Sequence, residues 1–511
     1  MKRLISTLGI AVSAATMLLL PTAAGAKITG LPLRNPHATV APVVPQSQPA
    51  APAAPLNLRA PITGASWAGV SDSTVTPPDT NGAIGPNSYV EIINLKLAIY
   101  TRTGATVSSA TLGSLTGHSQ FNLSDPMVLW DPNTLRFYYN VWDTSNSTMA
   151  WGFSKTSSPT AIPSSFCNYT SAFGYTSSEA PDYPKLGQSN NFLMIGVNHY
   201  PSVTAARSDR SDLLWIDKPQ GSAPISTCPA ASTFLAGKFA NLRNANGTQA
   251  FTPVPAIQDD GSTSGWVVTE TDIECPGVCG TGNRITVHTL TPSTTNPKVP
   301  VLTVTGHSIT VPTFAPPATT VPQRGSTRRL DPLDGRLEHA VAAIDPSVNK
   351  EVIWTGHNVN GAGNRTEFRW YEILPTPAAT PTLISSGVVN SPSLYVFNGA
   401  LAPDRTVNSS GAAHGQSVTI GFSTSSATTL PADQMVSKIG AGALSPFVLV
   451  HQSTTADNDF SCNPGPCRWG DYGGATSDPA QRLTAGRGEA WFTNESVTAG
   501  SNTTWNWEAK P

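Results

Sequence analysis

Short apolar runs, each preceded by a polar residue and followed by a turn, recur along the chain. The clearest lies between Leu123 and Trp142. Met127–Trp130 is apolar. Asp131-Pro132-Asn133 is a turn, because Asp and Asn bond their own backbone and Pro presets φ. Phe137–Trp142 is aromatic and β-prone. The same order occurs in residues 78–94 and 181–198, so that Asp79, Asp125 and Asp182 each precede a hydrophobic strand. This is an internal repeat. Weaker copies lie in residues 256–270, 343–357, 400–422 and 475–493. Seven hairpins with unevenly long connections predict an all-β chain folded as a seven-bladed β-propeller, with about four strands per blade. A β-sandwich with appendages is the other fold the pattern allows. The strands at Asp79, Asp125, Asp182, Val254, Glu338, Ala400 and Asp471 are expected to be the innermost of their blades. Long amphipathic helical patterns are missing. Arg336–Ile344 allows a helical turn or two, which Asp345-Pro346 would stop.

The first 26 residues depart from this pattern. Lys2-Arg3, the apolar run Leu4–Leu20 and Ala24-Gly25-Ala26 have the form of a cleavable secretion signal. A membrane anchor is the alternative, but the run is short and has no counterpart downstream. Residues 27–61 are rich in Pro and Ala and read as an extended or disordered linker. Residues 62–511 show no internal break in composition and are taken as one propeller domain. The expected protein is secreted, extracellular or periplasmic, with no membrane span after signal cleavage, and monomeric.

Charged residues make up 12% of the chain and the net charge is −2. That excludes the basic face a nucleic-acid partner would need. Six cysteines in an exported chain should pair. Cys275 with Cys279 and Cys462 with Cys467 would each close a small Pro/Gly loop, leaving Cys167 with Cys228. The rival reading, a metal site built from the two close pairs, has no His within either loop and suits an oxidising compartment less well.

Several segments resemble a family of uncharacterised secreted bacterial proteins with a sialidase-like β-propeller. They are Pro77–Pro86, Asp182-Tyr183-Pro184-Lys185, Leu330–Leu337, Arg369-Trp370-Tyr371-Glu372 and Arg468-Trp469-Gly470-Asp471-Tyr472. The resemblance implies a propeller and export, and no established reaction. Relatives tend to carry a further basic residue soon after the Arg-Leu pair, where this chain has Glu338-His339-Ala340.

If the repeats are in register, Asp79, Asp125, Asp182 and Asp471 should gather at one mouth of the central channel, with Arg336 and Arg468 beside them. Like charges so gathered must be paired, protonated or bound to a cation. An all-oxygen site would favour Ca²⁺. Each Asp taken singly more often caps its own turn, and the ring carries weight only because the residue recurs at matched positions. Two carboxyls at glycosidase spacing could hydrolyse a glycosidic bond. A sialidase-type site would instead use a Tyr nucleophile with arginines holding the substrate, and Tyr472 beside Arg468 and Asp471 is the matching cluster. Arg369 and Glu372 alternate on a strand and suit an outer edge. The chain has no Gly-x-Ser-x-Gly elbow, His-Glu-x-x-His or phosphate loop. His118, His199, His339 and His357 are read as structural or solvent-facing. These residues point to two alternative functions: binding or hydrolysis of an extracellular glycan at an acidic axial site, or a non-catalytic adhesion scaffold for a cell-surface protein. Mass mapping of the exported protein should find no free cysteine and the pairs 167–228, 275–279 and 462–467. A titratable thiol in the folded protein, or stoichiometric zinc, would contradict this.

Overall fold

The alternating apolar runs close into antiparallel meanders because each tight turn returns the chain beside the strand it has just left. The computed structural model describes residues 28–29, 60–271, 280–304, 308–376, 380–404, 415–463, 465–479, 483–484, 487–499 and 501–510. Nearly all of the secretion signal and the linker expected in 27–61 lie outside them. The first meander runs through Asn81–Ile84, Ser88–Ile93, Lys96–Thr101 and Thr106–Thr111. The second runs through Leu123–Asp131, Arg136–Asp143, Thr148–Ser154 and Phe166–Ser171. The third and fourth begin at Ala180–Gln188 and Ala250–Pro255. The fifth and sixth begin at Leu337–Asp345 and Tyr395–Pro403. The last begins at Gly474–Ser477 and continues through Ala490–Thr498 and Ser501–Lys510. Its fourth strand comes from the other end of the chain, because Ile62–Ala68 pairs antiparallel with Ser501–Lys510.

The arrangement is a β-propeller. The first strands of successive meanders contact one another in chain order, and Gly474–Ser477 returns to contact Asn81–Ile84. Asp125, Asp182, Val254, Glu338 and Ala400 all lie within such first strands, and Asp79 and Asp471 lie just before theirs. Apolar clusters fill the spaces between neighbouring sheets. One joins Val90, Ile92 and Leu97 of the first meander to Val128, Trp130 and Phe137 of the second. Another closes the ring, bringing Tyr89 and Tyr100 of the first against Trp491 of the last, with Trp67 packed on them.

Three expectations need correction. Among the described residues only five sheets of four or five strands stand alone, so seven separate blades are not seen. The third and fifth meanders are joined into one nine-stranded sheet. The joint is Ile257–Gln258, which continues the fourth meander past Ala256 and pairs parallel with Gln188 on one side and Val341–Ala342 on the other. Inner strands converge near the axis, so two extra residues there meet open backbone groups of both neighbours. The helical turn allowed at Arg336–Ile344 is also absent, since Leu337–Asp345 is a strand paired with Lys350–Asn360. Burial between two sheets outweighs a weak local preference. Thr366–Leu374, carrying Arg369 and Glu372, is third in its meander and has Thr382–Val389 outside it, so it is not an edge.

The first strands share a local defect. Pairing to the second strand breaks between Ser124 and Met127, Asp182 and Lys185, Phe251 and Val254, and Phe397 and Ala400. Each break holds a residue with positive φ: Asp125, Tyr183, Thr252 and Asn398. The next residue is Pro126, Pro184, Pro253 or Gly399. Proline has no N–H for the ladder and is confined to such bulges. Close sheet packing has its own requirement: a Cβ on Gly196 would meet the Pro253 carbonyl oxygen at 1.9 Å.

Two expected disulfides are present, Cys167–Cys228 and Cys462–Cys467. Cys275 and Cys279 lie outside the described residues. Among the described residues one α-helix is found, Leu112–Thr116, and no helix is long and apolar enough to cross a membrane. Trp67 packs at 5.6 Å from the Tyr89 ring and 5.9 Å from that of Trp491. Trp67→Ala should lower stability by about 2–4 kcal/mol, the lower part of the range for losing a large aromatic, because Trp67 is half-buried. An unchanged urea midpoint would show that closure contributes little.

Candidate functional site: a buried acidic and aromatic cluster at the axis

The bulges and the segments before the first and last meanders bring residues from around the ring to one place. Asp79 has φ 48°. Its Oδ1 accepts the Asp471 N–H at 3.0 Å and its Oδ2 accepts the Asn94 amide at 2.6 Å. Asn94 also accepts the Asp125 N–H at 2.9 Å, linking the first meander to the second. Asp125 accepts the Ser124 hydroxyl at 2.5 Å on Oδ1 and the Tyr472 hydroxyl at 3.0 Å on Oδ2. Arg468 pairs with Asp471 at 2.7 Å. Arg336 holds Asp334 through Nε at 2.7 Å, and its guanidinium carbon lies 4.7 Å from the Tyr183 ring centre.

Lys185 stands in the middle of this group. Its Nζ lies 3.6 Å from the Tyr472 ring centre and 3.9 Å from that of Tyr183, and donates to the Asp471 carbonyl at 3.1 Å. These are cation–π distances. Glu338, from the fifth meander, accepts the Gly399 N–H of the sixth at 3.1 Å and the Asn358 N–H at 3.3 Å. Asp182 differs from the rest. Its Oδ2 is buried without a hydrogen-bond partner among the described residues, as is the Tyr183 hydroxyl.

Burial sets the protonation of the cluster. It pushes Asp79 well above the usual carboxylate range, and Asp471 and Asp125 add to the effect. Asp182 is raised in the same way by burial and then by Asp125, against the pull of Arg336. Asp471 is raised by burial in spite of Arg468. Burial takes Glu338 up to about 8, opposed mainly by Lys185. Lys185 is brought down to about 7 by the same loss of water, opposed mainly by Glu338. The crowded acids are therefore relieved by proton uptake as well as by the arginines.

Asp79, Asp125, Asp182, Asp471, Tyr472, Arg336 and Arg468 all fall in this cluster. Their registry is less regular than the sequence implies. By bulge position Asp125 matches Tyr183 and Thr252, while Asp182 matches Ser124 and Phe251. Sequence reasoning missed Lys185 and Glu338 as members. Lys185 was visible in the Asp-Tyr-Pro-Lys segment, just beyond the bulge. Elsewhere, Asp457 lies beside Cys462 and Cys467, but those sulfurs are bonded to each other and supply no thiolate. His339 and His357 are buried and neutral, both lowered to about 3 chiefly by burial.

No family model matches the chain, and no curated protein does. Among solved structures, one titled "Glycoside hydrolase" is similar at TM-score 0.31 and 6% identity, over 65% of this chain and 87% of that one. A "Bifunctional GH43-CE" protein of Bacteroides eggerthii is similar at TM-score 0.26 and 7% identity, over 86% of this chain and 62% of that one. Neither likeness assigns a role to any residue here.

A raised carboxyl stays protonated in the folded chain while its unfolded counterpart, near 4.5, has already ionised. Glu338 therefore makes stability fall as pH rises from about 4.5 to about 8. Asp79, Asp182 and Asp471 act in the same direction. Lys185 acts oppositely, and only above about 7. The melting temperature should drop between pH 5 and pH 7, and Glu338→Gln should flatten that drop. A profile unchanged by the substitution would contradict the assigned protonation.

Proposed function

We propose that the axial cluster is a carbohydrate site of a secreted propeller, with Asp182 as the acid and Asp125 as its carboxylate partner. The supporting observation is the contrast between these two groups. Burial raises the Asp182 carboxyl well above the usual carboxylate range, and one of its oxygens has no hydrogen-bond partner among the described residues. Asp125 accepts hydrogen bonds on both oxygens, the pattern of a base or nucleophile. Two carboxyls with environments this different are the usual basis for dividing acid and base roles. In this reading Asp182 gives its proton to the glycosidic oxygen as the bond to the sugar breaks, and Asp125 supports the developing positive charge. Tyr183, Tyr472 and the two arginines would line the site around the sugar. The two disulfides agree with export to an oxidising compartment.

Burial favours a second reading. Asp79 is 2% exposed and Asp182 3%. A cluster this enclosed could serve as the lock of a non-catalytic adhesion scaffold. The exported protein should be assayed on a glycan array and on aryl glycosides, with and without chelator. For the carbohydrate site, Asp182→Asn should cut turnover by about 100-fold or more with the fold intact, because a neutral amide replaces a carboxyl that is already neutral. Asp125→Asn should do likewise. For the scaffold, Asp125→Asn would instead destabilise by about 1–3 kcal/mol with no change in glycan binding. Unaltered binding and turnover in both variants would end the carbohydrate proposal.

A further inference from the structure

The helix Leu112–Thr116 connects the outer strand of the first meander to the inner strand of the second, and contacts outer strands of both. It is sharply bounded. Thr111 caps its start by accepting the Ser114 N–H at 3.1 Å. Gly117 ends it at φ 79°, with its N–H on the Gly113 carbonyl at 2.9 Å. Such a left-handed terminus suits glycine. The residue fixed immediately after it is His118.

His118 joins a carboxylate to a hydroxyl. Its Nδ1 lies 2.5 Å from Asp143 Oδ2, and its Nε2 lies 2.7 Å from Thr170 Oγ1. Asp143 is buried and is itself held through Oδ1 by the Ser145 N–H at 2.9 Å and the Ser145 hydroxyl at 2.6 Å. With Asp143 as acceptor at Nδ1, Nε2 is left to accept the hydroxyl proton of Thr170. Thr170 is exposed on the outer strand Phe166–Ser171, which Cys167 anchors to Cys228. Phe121, 52% exposed, stands three residues beyond His118. A hydroxyl held by a base that is in turn oriented by a carboxylate is the arrangement of an activated nucleophile.

We propose that Thr170, His118 and Asp143 form a second, surface site that cleaves carboxylic esters. Thr170 Oγ1 bonds to the ester carbonyl carbon as His118 Nε2 takes its proton. The tetrahedral adduct collapses by breaking the bond to the alcohol oxygen, which receives that proton from Nε2. Water, deprotonated by the same nitrogen, then attacks the acyl-threonine and releases the acid, restoring the hydroxyl. No oxidant or cofactor enters. The site lies on the outer rim and its test is independent of the axial cluster.

The probe is p-nitrophenyl acetate, given to the exported protein. The wild type should release nitrophenolate with saturation, and rapid quenching should leave an acetyl group on the peptide carrying Thr170. Thr170→Val and His118→Ala should lower the rate by about 100-fold or more, the usual contribution of a positioned base. Thr170→Ser should retain activity, which a merely structural hydrogen bond would not require. Circular dichroism identical to wild type separates loss of chemistry from loss of fold. A Thr170→Val rate equal to wild type, acetylation confined to other residues, or a wild type no faster than buffer would each overturn the proposal.

Discussion

The pairing of Ile62–Ala68 with Ser501–Lys510 is the contact on which the ring depends. Each sheet is apolar on both faces and finds its partners in the sheets before and after it. A ring satisfies every sheet only if the first and last meet. The last meander supplies three strands of its own, Gly474–Ser477, Ala490–Thr498 and Ser501–Lys510, and borrows the fourth. The borrowed strand also carries Trp67, which packs against aromatics of the first and last meanders together. One short segment thus provides both the missing hydrogen bonds and part of the seam's apolar contact.

Closure has a cost at the centre. Inner strands that converge on an axis bring their bulges together, and Asp79, Asp125, Asp182 and Asp471 gather there from positions that are not equivalent. The bulges at Asp125, Tyr183, Thr252 and Asn398 give the backbone room to turn polar groups inward. The inward groups form a network running across the ring: Asp79 to Asp471, Asp125 to Tyr472, Lys185 to Asp471, Glu338 to Gly399. Protonation and cation–π contact share the work of holding it. Such tension marks functional sites often enough to justify testing this one first.

The repeat was legible because turn chemistry and strand alternation are local properties. Asp131-Pro132-Asn133 ends the strand Leu123–Asp131 as its residue types require. Convergence of the aspartates was implicit in the repeat as well. The exact register was not, since a bulge adds a residue without leaving a periodic mark, which is why Asp182 is one place out from Asp125. Separate blades were expected where Ile257–Gln258 joins two meanders, because pairing between distant segments is set by the ring's geometry and not by their own residues. Lys185 and Glu338 were hidden for another reason: only burial makes them chemically unusual. Thr170 and Asp143 lie far from His118 in sequence and near it only in space.

Closure by the two ends also orders events in time. During synthesis, the strand 62–68 emerges long before the partner at 501–510 exists. Until then the first sheet has an uncovered flank, with Tyr89 and Tyr100 awaiting Trp491. Contacts so distant along the chain close slowly, and exposed apolar edges in the meantime invite association with other chains. The final ten residues of the described chain therefore act as a timer.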